Sequence, residues 1–235
     1  MGKKHDVIAL GELLIDFTEL GVSENDTCLS AGELDLQALK DCKIFHFGSL
    51  SLTDEPARTA TIEAAKADKE AGALISFDPN YRASLWKNES DAVEAIRSVL
   101  SYADMLKISD EESVLLAGED ECSKAAEKLL KQGPKLIAIT SGSQGVYLVN
   151  QECQEQIPGF PAEAADTTGA GDSFWGGFLS KYLEYRTDMQ TMSWANWKHC
   201  AKFGNAASSL CVRKRGGIPA IPEKKEVLQI LQMQQ

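Results

Sequence analysis

The sequence lacks an excess of basic residues. It contains 24 Lys and Arg against 35 Asp and Glu in 235 residues, so its formal net charge is −11. A chain with this charge is repelled by nucleic-acid phosphates and by anionic lipid surfaces, so we expect neither a nucleic-acid partner nor a membrane partner. Any phosphate-binding site must therefore be formed by a local group of donors or positive charges.

The sequence also lacks paired cysteines and long apolar runs. No Cys-x-x-Cys pair occurs and no histidine stands at zinc-site spacing. The apolar run at residues 7–10 is interrupted by Gly11 and Glu12, so it lacks the apolar region of a signal peptide, and no stretch approaches the length of a membrane span. We predict a cytoplasmic protein whose thiols are reduced. The scattered cysteines are Cys28, Cys42, Cys122, Cys153, Cys200 and Cys211.

The composition that is present suits an ordinary globular protein. Apolar residues make up 43% of the chain and charged residues 25%, which favours one sizeable core. Short aliphatic runs alternate with amphipathic segments; the run at residues 7–10 predicts a buried strand, and residues 136–140 predict another. This alternation predicts a single α/β domain over residues 1–235 with a mostly parallel sheet.

Residues 166–174 read Asp-Thr-Thr-Gly-Ala-Gly-Asp-Ser-Phe and are the most specific stretch of the chain. In such a glycine-rich turn, backbone N–H groups converge at the start of a helix, where orphan donors and the helix dipole favour a phosphate. Asp172 lies inside this turn. It is either an ordinary capping residue or a general base that faces a phosphoryl group.

This nine-residue string resembles the C-terminal motif of the ribokinase-like (PfkB) carbohydrate kinases. The resemblance implies that Asp172 is the catalytic base and that the backbone of Gly169, Ala170 and Gly171 forms an anion hole. It also implies a three-layer α/β/α fold, and it covers most of residues 4–222.

The beginning of the chain matches this family less completely. Asp16 ends a Gly-Glu-x-x-x-Asp stretch, where the family has a sugar-binding aspartate; a solvated loop carboxylate is the alternative. The family's Gly-Gly-x-x-x-Asn sugar motif, its βαβ unit and its β-sheet lid have no counterpart between residues 21 and 34. We therefore predict that an internal block, including the lid, is missing near Asn25.

Two matching stretches follow predicted strands. Asp-Pro-Asn-x-Arg at residues 78–82 resembles the fructokinase branch of the family, and the planar fork of Arg82 suits phosphate oxygens. The same residue types also form turns whatever the function. Ser109 and Glu112 stand where the family has an Asn-x-x-Glu motif that sets Mg²⁺, often through water, although acids in a first helical turn are favourable for the dipole alone.

The resemblance also implies a nucleotide site. Thr140, Gly142 and Gly145 correspond to the family's Thr-x-Gly-x-x-Gly segment, and Asn205 matches a position on the helix that packs near adenine. A tight turn would by itself explain the two glycines.

The implied activity is ATP-dependent phosphorylation of a sugar hydroxyl, with fructose as the first candidate and Mg²⁺ as the metal. Asp166 and Thr168 match positions that bind a monovalent cation, K⁺, in some relatives. Two alternatives stay open. One is a kinase of another sugar, polyol or nucleoside, and the other is an inactive remnant that binds a nucleotide or a partner protein. The oligomeric state is left open as well.

Overall fold

The structure is a computed structural model that describes residues 3–10 and 28–233. The chain divides into two compact units, Met1–Ile137 and Ala138–Gln235. The single-domain organisation expected from the sequence stays a prediction.

The first unit alternates strands with helices, as the sequence predicts. Its strands β1 to β4 pair in parallel, so their carboxyl ends lie at one edge of the sheet. The elements among its described residues are β1 (His5–Leu10), α1 (Leu36–Lys40), β2 (Cys42–Phe47), α2 (Ala57–Glu70), β3 (Leu74–Phe77), α3 (Glu89–Val99), β4 (Met105–Ser109), α4 (Asp110–Ala117), α5 (Cys122–Leu130) and β5 (Leu136–Thr140), which runs on into the second unit.

The first strand forms where the sequence predicts it, but the expectation that it is buried is wrong. Val7 is 40% exposed. Within the described ranges, β1 lies at the end of the sheet with β2 as its one strand neighbour, and an end strand is less covered than a central one. The core lies further in, where the rings of Phe47 on β2 and Phe77 on β3 stack with centroids 4.6 Å apart.

The described part of the second unit contains a hairpin and three α-helices. Strands β6 and β7 pair antiparallel, and β7 is mostly exposed, so this hairpin forms an edge of the sheet among the described strands. The elements among its described residues are β6 (Val146–Asn150), β7 (Gln154–Ile157), α6 (Ala170–Tyr185), α7 (Trp194–Cys211) and α8 (Lys224–Gln232).

Helices α6 and α7 pack through stacked aromatic rings. Phe174, Phe178 and Tyr182 recur every fourth residue and are buried, as that spacing predicts. The ring centroid of Trp197 on α7 lies 5.9 Å from that of Phe178 and 5.2 Å from that of Tyr182. This packing fixes the axis of α6, and thereby the place of its first turn.

The described strands form one seven-stranded sheet in the order β1-β2-β3-β4-β5-β6-β7. Every strand in the described ranges belongs to this sheet, so no separate lid sheet occurs in that part of the chain. None of the helices in those ranges is both long and apolar enough to cross a bilayer.

Candidate functional site

The turn that follows β3 in the first unit is anchored by Asp78. The Oδ1 atom of Asp78 accepts a hydrogen bond from the N–H of Asn80 at 3.2 Å. Asn80 has a φ of 48°, a left-handed conformation that non-glycine residues rarely adopt. Arg82 is exposed, and its guanidinium donates to the carbonyl of Tyr81 at 3.1 Å. A buried carboxylate thus holds a left-handed turn that leads to an exposed arginine.

A lysine pairs with that carboxylate inside the unit. Lys107 lies in the middle of β4, and its Nζ lies 2.9 Å from Asp78 Oδ2, with side chains that are 8% and 6% exposed. A buried charge is unfavourable without a partner, so the opposite charges of Lys107 and Asp78 compensate each other. Sequence reasoning did not select either residue as functional. A lysine inside a short strand forms no motif, and Asp78 is explained as a turn former.

Glu112, the predicted Mg²⁺ glutamate, is buried in the first turn of α4. Its Oε2 accepts from the N–H of Ser109 and its Oε1 from the N–H of Tyr81, both at 2.7 Å. In return, the N–H of Glu112 donates to Ser109 Oγ at 3.1 Å, which completes a capping box. Burial raises the pKa of Glu112, the charge of Asp78 raises it further, and Lys107 and the two N–H donors lower it part of the way.

The oxygen donors at this place suit a hard divalent cation held through water. Ser109 and Glu112 offer hydroxyl and carboxylate oxygens, which Mg²⁺ prefers. Both carboxylate oxygens already accept a backbone N–H, so each has limited capacity left for a metal-bound water. No group of three or more Asp, Glu, His and Cys side chains within the described ranges is arranged to hold a metal directly. The two residues therefore fit an Mg²⁺ that keeps its waters.

In the second unit, α6 begins with an open first turn. Gly169 precedes the helix with a φ of 75°, which glycine adopts without steric cost, and no side chain caps the helix. The N–H of Ala170 donates back into the preceding loop at 3.2 Å. The N–H groups of Gly171 and Asp172 have no acceptor in the part of the chain that the structure describes. This turn therefore keeps donors for an external anion.

Asp172, the predicted base, is the third residue of α6, and its side chain is exposed. Across residues 3–10 and 28–233, its carboxylate forms no hydrogen bond or ion pair. A carboxylate without an internal partner can accept the hydrogen of a substrate hydroxyl.

Asp166 joins the signature loop, residues 166–169, to the loop that follows α7. Its Oδ2 accepts from the N–H of Gly216 and its Oδ1 from the N–H of Thr168, both at 2.9 Å. These bonds, that of Gly216 first, lower the pKa of Asp166 to about 2. A Cβ atom on Gly169 would lie 3.1 Å from the Cα of Gly217, so the two loops are in contact. Each oxygen of Asp166 accepts one N–H group and keeps a further lone-pair site, so this carboxylate can still offer an oxygen to a monovalent cation.

The predicted nucleotide residues Thr140, Gly142 and Gly145 lie at the end of β5 and in the turn to β6. Gly142 has a φ of 49°, and a Cβ atom there would meet nothing within 4 Å. Gly145 has a φ of 93°, and a Cβ atom there would lie 2.2 Å from the carbonyl oxygen of Ile157. The close approach of the backbone at Ile157 therefore explains why position 145 is a glycine, and a ligand is not needed for that explanation.

Asn205, also predicted to be near the nucleotide, has a structural contact. It is buried on α7, and its Nδ2 donates to the carbonyls of Ile157 at 3.1 Å and Pro158 at 3.0 Å. These bonds hold the end of β7 on α7. Asp16, the predicted sugar ligand, lies outside the described residues.

A mostly parallel sheet whose strands end in polar turns is the architecture of α/β proteins that bind ligands at the carboxyl ends of their strands. The family described as "pfkB family carbohydrate kinase" matches residues 12–224. The chain belongs to this family, as the signature loop predicts.

Curated relatives within the family are fructokinases. The chain is 37% identical to fructokinase-2 of Solanum lycopersicum, in an alignment that covers 88% of this chain and 62% of that protein. It is 36% identical to fructokinase-1 of Zea mays, over 88% of this chain and 64% of that protein. The chain thus spans less than two thirds of the length of these relatives.

Solved structures confirm the ribokinase-like α/β fold. A fructokinase with bound ATP from Xylella fastidiosa superposes with a TM-score of 0.82 at 29% identity, covering 89% of this chain and 67% of that one. Aminoimidazole riboside kinase from Salmonella enterica, complexed with aminoimidazole riboside and an ATP analogue, gives 0.79 at 29% identity, covering 92% and 71%. A fructokinase double mutant from Vibrio cholerae O395, in its fructose, ADP and potassium ion bound form, gives 0.77 at 26% identity, covering 88% and 65%.

Proposed function

We propose that this chain is a kinase that transfers the γ-phosphoryl group of ATP to a hydroxyl of a sugar, with fructose as the substrate. The family and the fructokinase relatives support the reaction and the sugar. The structural observation that carries the proposal is the first turn of α6, where open N–H donors and the unpaired carboxylate of Asp172 lie within one helical turn. Acceptance of a proton and stabilisation of phosphoryl charge need these two features side by side.

In the proposed reaction, Asp172 accepts the proton of the attacking hydroxyl. The hydroxyl oxygen bonds to the γ-phosphorus, and the bond from that phosphorus to the oxygen it shares with ADP breaks. The N–H groups of Gly169, Ala170 and Gly171 stabilise the charge on the phosphoryl oxygens. Of these donors, the N–H of Gly171 has no acceptor within the described ranges, and that of Ala170 donates to the preceding loop.

The proposal includes a metal and further contacts to the phosphates. Ser109 and Glu112 would hold Mg²⁺ through water, and the bound ion would supply positive charge to the nucleotide phosphates. Arg82 is exposed and contacts phosphate oxygens through its fork. Asp166 and Thr168 remain the candidates for K⁺, and no step is routed through that ion.

The remaining ligand contacts are assigned from the family resemblance. Thr140, Gly142, Gly145 and Asn205 line the nucleotide, and Asp16 binds hydroxyl groups of the sugar. Gly145 and Asn205 also have the structural contacts described above, so their substitution affects stability as well as binding.

A second candidate function is nucleotide binding without phosphoryl transfer. It is favoured by the absence of the Gly-Gly-x-x-x-Asn motif from the sequence. A closing lid excludes water and completes the site in many phosphoryl transferases, so a chain without one would bind the nucleotide and leave it intact.

The two candidates are separated by measuring ADP release by the purified chain supplied with MgATP, and ADP binding in the presence of Mg²⁺. Sugar-dependent ADP release with fructose supports the first candidate, and a panel of other sugars, polyols and nucleosides tests the substrate. Nucleotide binding without any acceptor-dependent release selects the second candidate. A chain that binds no nucleotide contradicts both.

A further inference from the structure

Lys107 has an unusual environment for a lysine. Among the described residues, it is the one Lys or Arg that is buried. Lys107 in the middle of β4, Asp78 directly after β3 and Glu112 in the first turn of α4 are all buried, and their charges interact; these three residues are named the Lys107 cluster. The two buried carboxylates repel each other, and the ammonium of Lys107 offsets that repulsion.

The contacts within the cluster form a chain from Lys107 to Glu112. Lys107 Nζ pairs with Asp78 Oδ2 at 2.9 Å, and Asp78 Oδ1 accepts from the N–H of Asn80 at 3.2 Å. The next residue, Tyr81, donates its N–H to Glu112 Oε1 at 2.7 Å. A displacement of Asp78 would therefore move the donor that orients the carboxylate of Glu112.

The backbone of Asn80 is in the left-handed conformation, with a φ of 48°, which Asn adopts more readily than most other non-glycine residues. The hydrogen bond to Asp78 and the bond from Tyr81 to Glu112 flank it on both sides. The turn would relax if Asp78 moved away from the N–H of Asn80.

We propose that Lys107 is a positioning residue for the metal-setting carboxylate: by neutralising Asp78, it holds the turn whose Tyr81 N–H orients Glu112. The inference rests on the proposed function, since the metal role of Glu112 is part of it. Lys107 itself contacts neither metal nor nucleotide in this account. Its loss therefore weakens the response to Mg²⁺.

The first unit offers a matched control at the opposite ends of the same strands. Lys135 Nζ lies 2.8 Å from Asp104 Oδ1, and Asp104 Oδ2 accepts from the N–H of Ile75 at 3.0 Å. The Asp104 side chain is 5% exposed, so its carboxylate is as buried as that of Asp78. This pair has a lysine, a buried aspartate and an anchored backbone N–H, but no second carboxylate; a second lysine, Lys69, also lies with its Nζ 4.0 Å from Asp104 Oδ1. Lys135→Met removes an ion pair without touching the Lys107 cluster.

The test measures ADP binding by titration calorimetry over a range of free Mg²⁺ concentrations, which needs no turnover. Lys107→Met is expected to raise the Mg²⁺ concentration for half-maximal ADP binding about tenfold, as loss of a supporting contact does at other metal sites. The double variant Asp78→Asn/Lys107→Met keeps an acceptor for the N–H of Asn80 and removes both charges. It is expected to return to within about threefold of wild type. Lys135→Met is expected to keep the wild-type Mg²⁺ dependence.

Urea unfolding of the same variants separates positioning from stability. Lys107→Met and Lys135→Met both lower the unfolding midpoint, and only Lys107→Met changes the Mg²⁺ dependence. If Lys107→Met is too unstable to purify, Lys107→Gln, which keeps a donor toward Asp78 without the charge, is measured in its place with the same expectation. An unchanged Mg²⁺ dependence in the Lys107 variant overturns the inference alone. A wild-type chain that binds no ADP with Mg²⁺ overturns the proposed function, and the inference falls with it.

Discussion

The carboxylate of Asp166 accepts a hydrogen bond from the N–H of Gly216, a residue 50 positions further along the chain, at 2.9 Å. The same carboxylate accepts from the N–H of Thr168 at 2.9 Å. One side chain thus ties the signature loop to the loop that follows α7. The first turn of α6 is therefore held from outside the helix.

Asp166→Asn is expected to change the pH dependence of the stability. The pKa of Asp166 in the folded chain is about 2, against an ordinary value of 3.8. As pH falls, Asp166 therefore takes up a proton in the unfolded state before it does so in the folded state. The charged carboxylate contributes to stability above the ordinary pKa, and this contribution is lost as pH falls toward the folded pKa. The urea midpoint should fall less from about pH 5 to about pH 3 in the variant than in wild type. Equal falls in both proteins would show that these two hydrogen bonds do not stabilise the carboxylate.

Gly145→Ala is expected to destabilise the second unit strongly. A Cβ atom would lie 2.2 Å from the carbonyl oxygen of Ile157, and the φ of 93° is unfavourable for alanine. The free energy of unfolding should fall by more than about 2 kcal/mol in urea titrations. Gly142→Ala, three residues earlier, is the control. It has a positive φ but open space around the new Cβ, so it should cost only about 1 kcal/mol. Equal losses at the two positions would contradict the close approach to Ile157.

The sequence predicts those elements whose signals are local. Strand β5 has the predicted bounds, Leu136–Thr140, because a short aliphatic run stands between clear breakers on both sides. The buried face of α6 follows from aromatic residues spaced four apart. The candidate site residues are likewise predicted from short motifs that follow strands or begin helices. Such motifs give the position of a residue along the chain but not its contacts.

The contacts that sequence reasoning missed depend on tertiary neighbours. The pair of Lys107 and Asp78 exists because β3 and β4 are adjacent in the sheet, which no local pattern reveals. The bonds from Asn205 to the end of β7 join residues that are 48 and 47 positions apart. The burial of Val7 was predicted from an apolar run alone, and it was wrong because exposure depends on where the strand lies in the sheet.

Asn205→Ala is expected to destabilise the protein through the end of β7. The substitution leaves the carbonyls of Ile157 and Pro158 without their side-chain donor, and an unsatisfied buried group costs about 1–3 kcal/mol. Asn196→Ala, on the same helix, has no side-chain hydrogen bond within the described ranges and should cost under about 0.5 kcal/mol. Urea unfolding of both variants measures the difference. If Asn205→Ala is as stable as wild type, these hydrogen bonds do not stabilise the protein, and nucleotide binding remains as the main role of Asn205.

Gly169→Ala and Gly176→Ala are expected to act in opposite directions on the same helix. Gly169 has a φ of 75°, and its Cβ would press on Gly217 at 3.1 Å, so alanine should cost at least about 1 kcal/mol and weaken ADP binding. Gly176 lies inside α6, and its Cβ would meet nothing within 4 Å, so alanine should stabilise the helix by about 0.5–1 kcal/mol. Thermal unfolding with and without ADP checks both. A Gly169→Ala chain with unchanged ADP binding would exclude this turn from the nucleotide site.

The central claim is that the carboxylate of Asp172 accepts the proton of the sugar hydroxyl. The most direct measurement is fructose-dependent ADP release by Asp172→Asn, with ADP affinity measured on the same preparation. Asp120→Asn, an exposed aspartate between α4 and α5, is the matched control. The account predicts that release falls at least about hundredfold in Asp172→Asn, as loss of a general base does, while ADP affinity and the Asp120→Asn chain stay close to wild type. Turnover in Asp172→Asn at the wild-type rate would contradict the account.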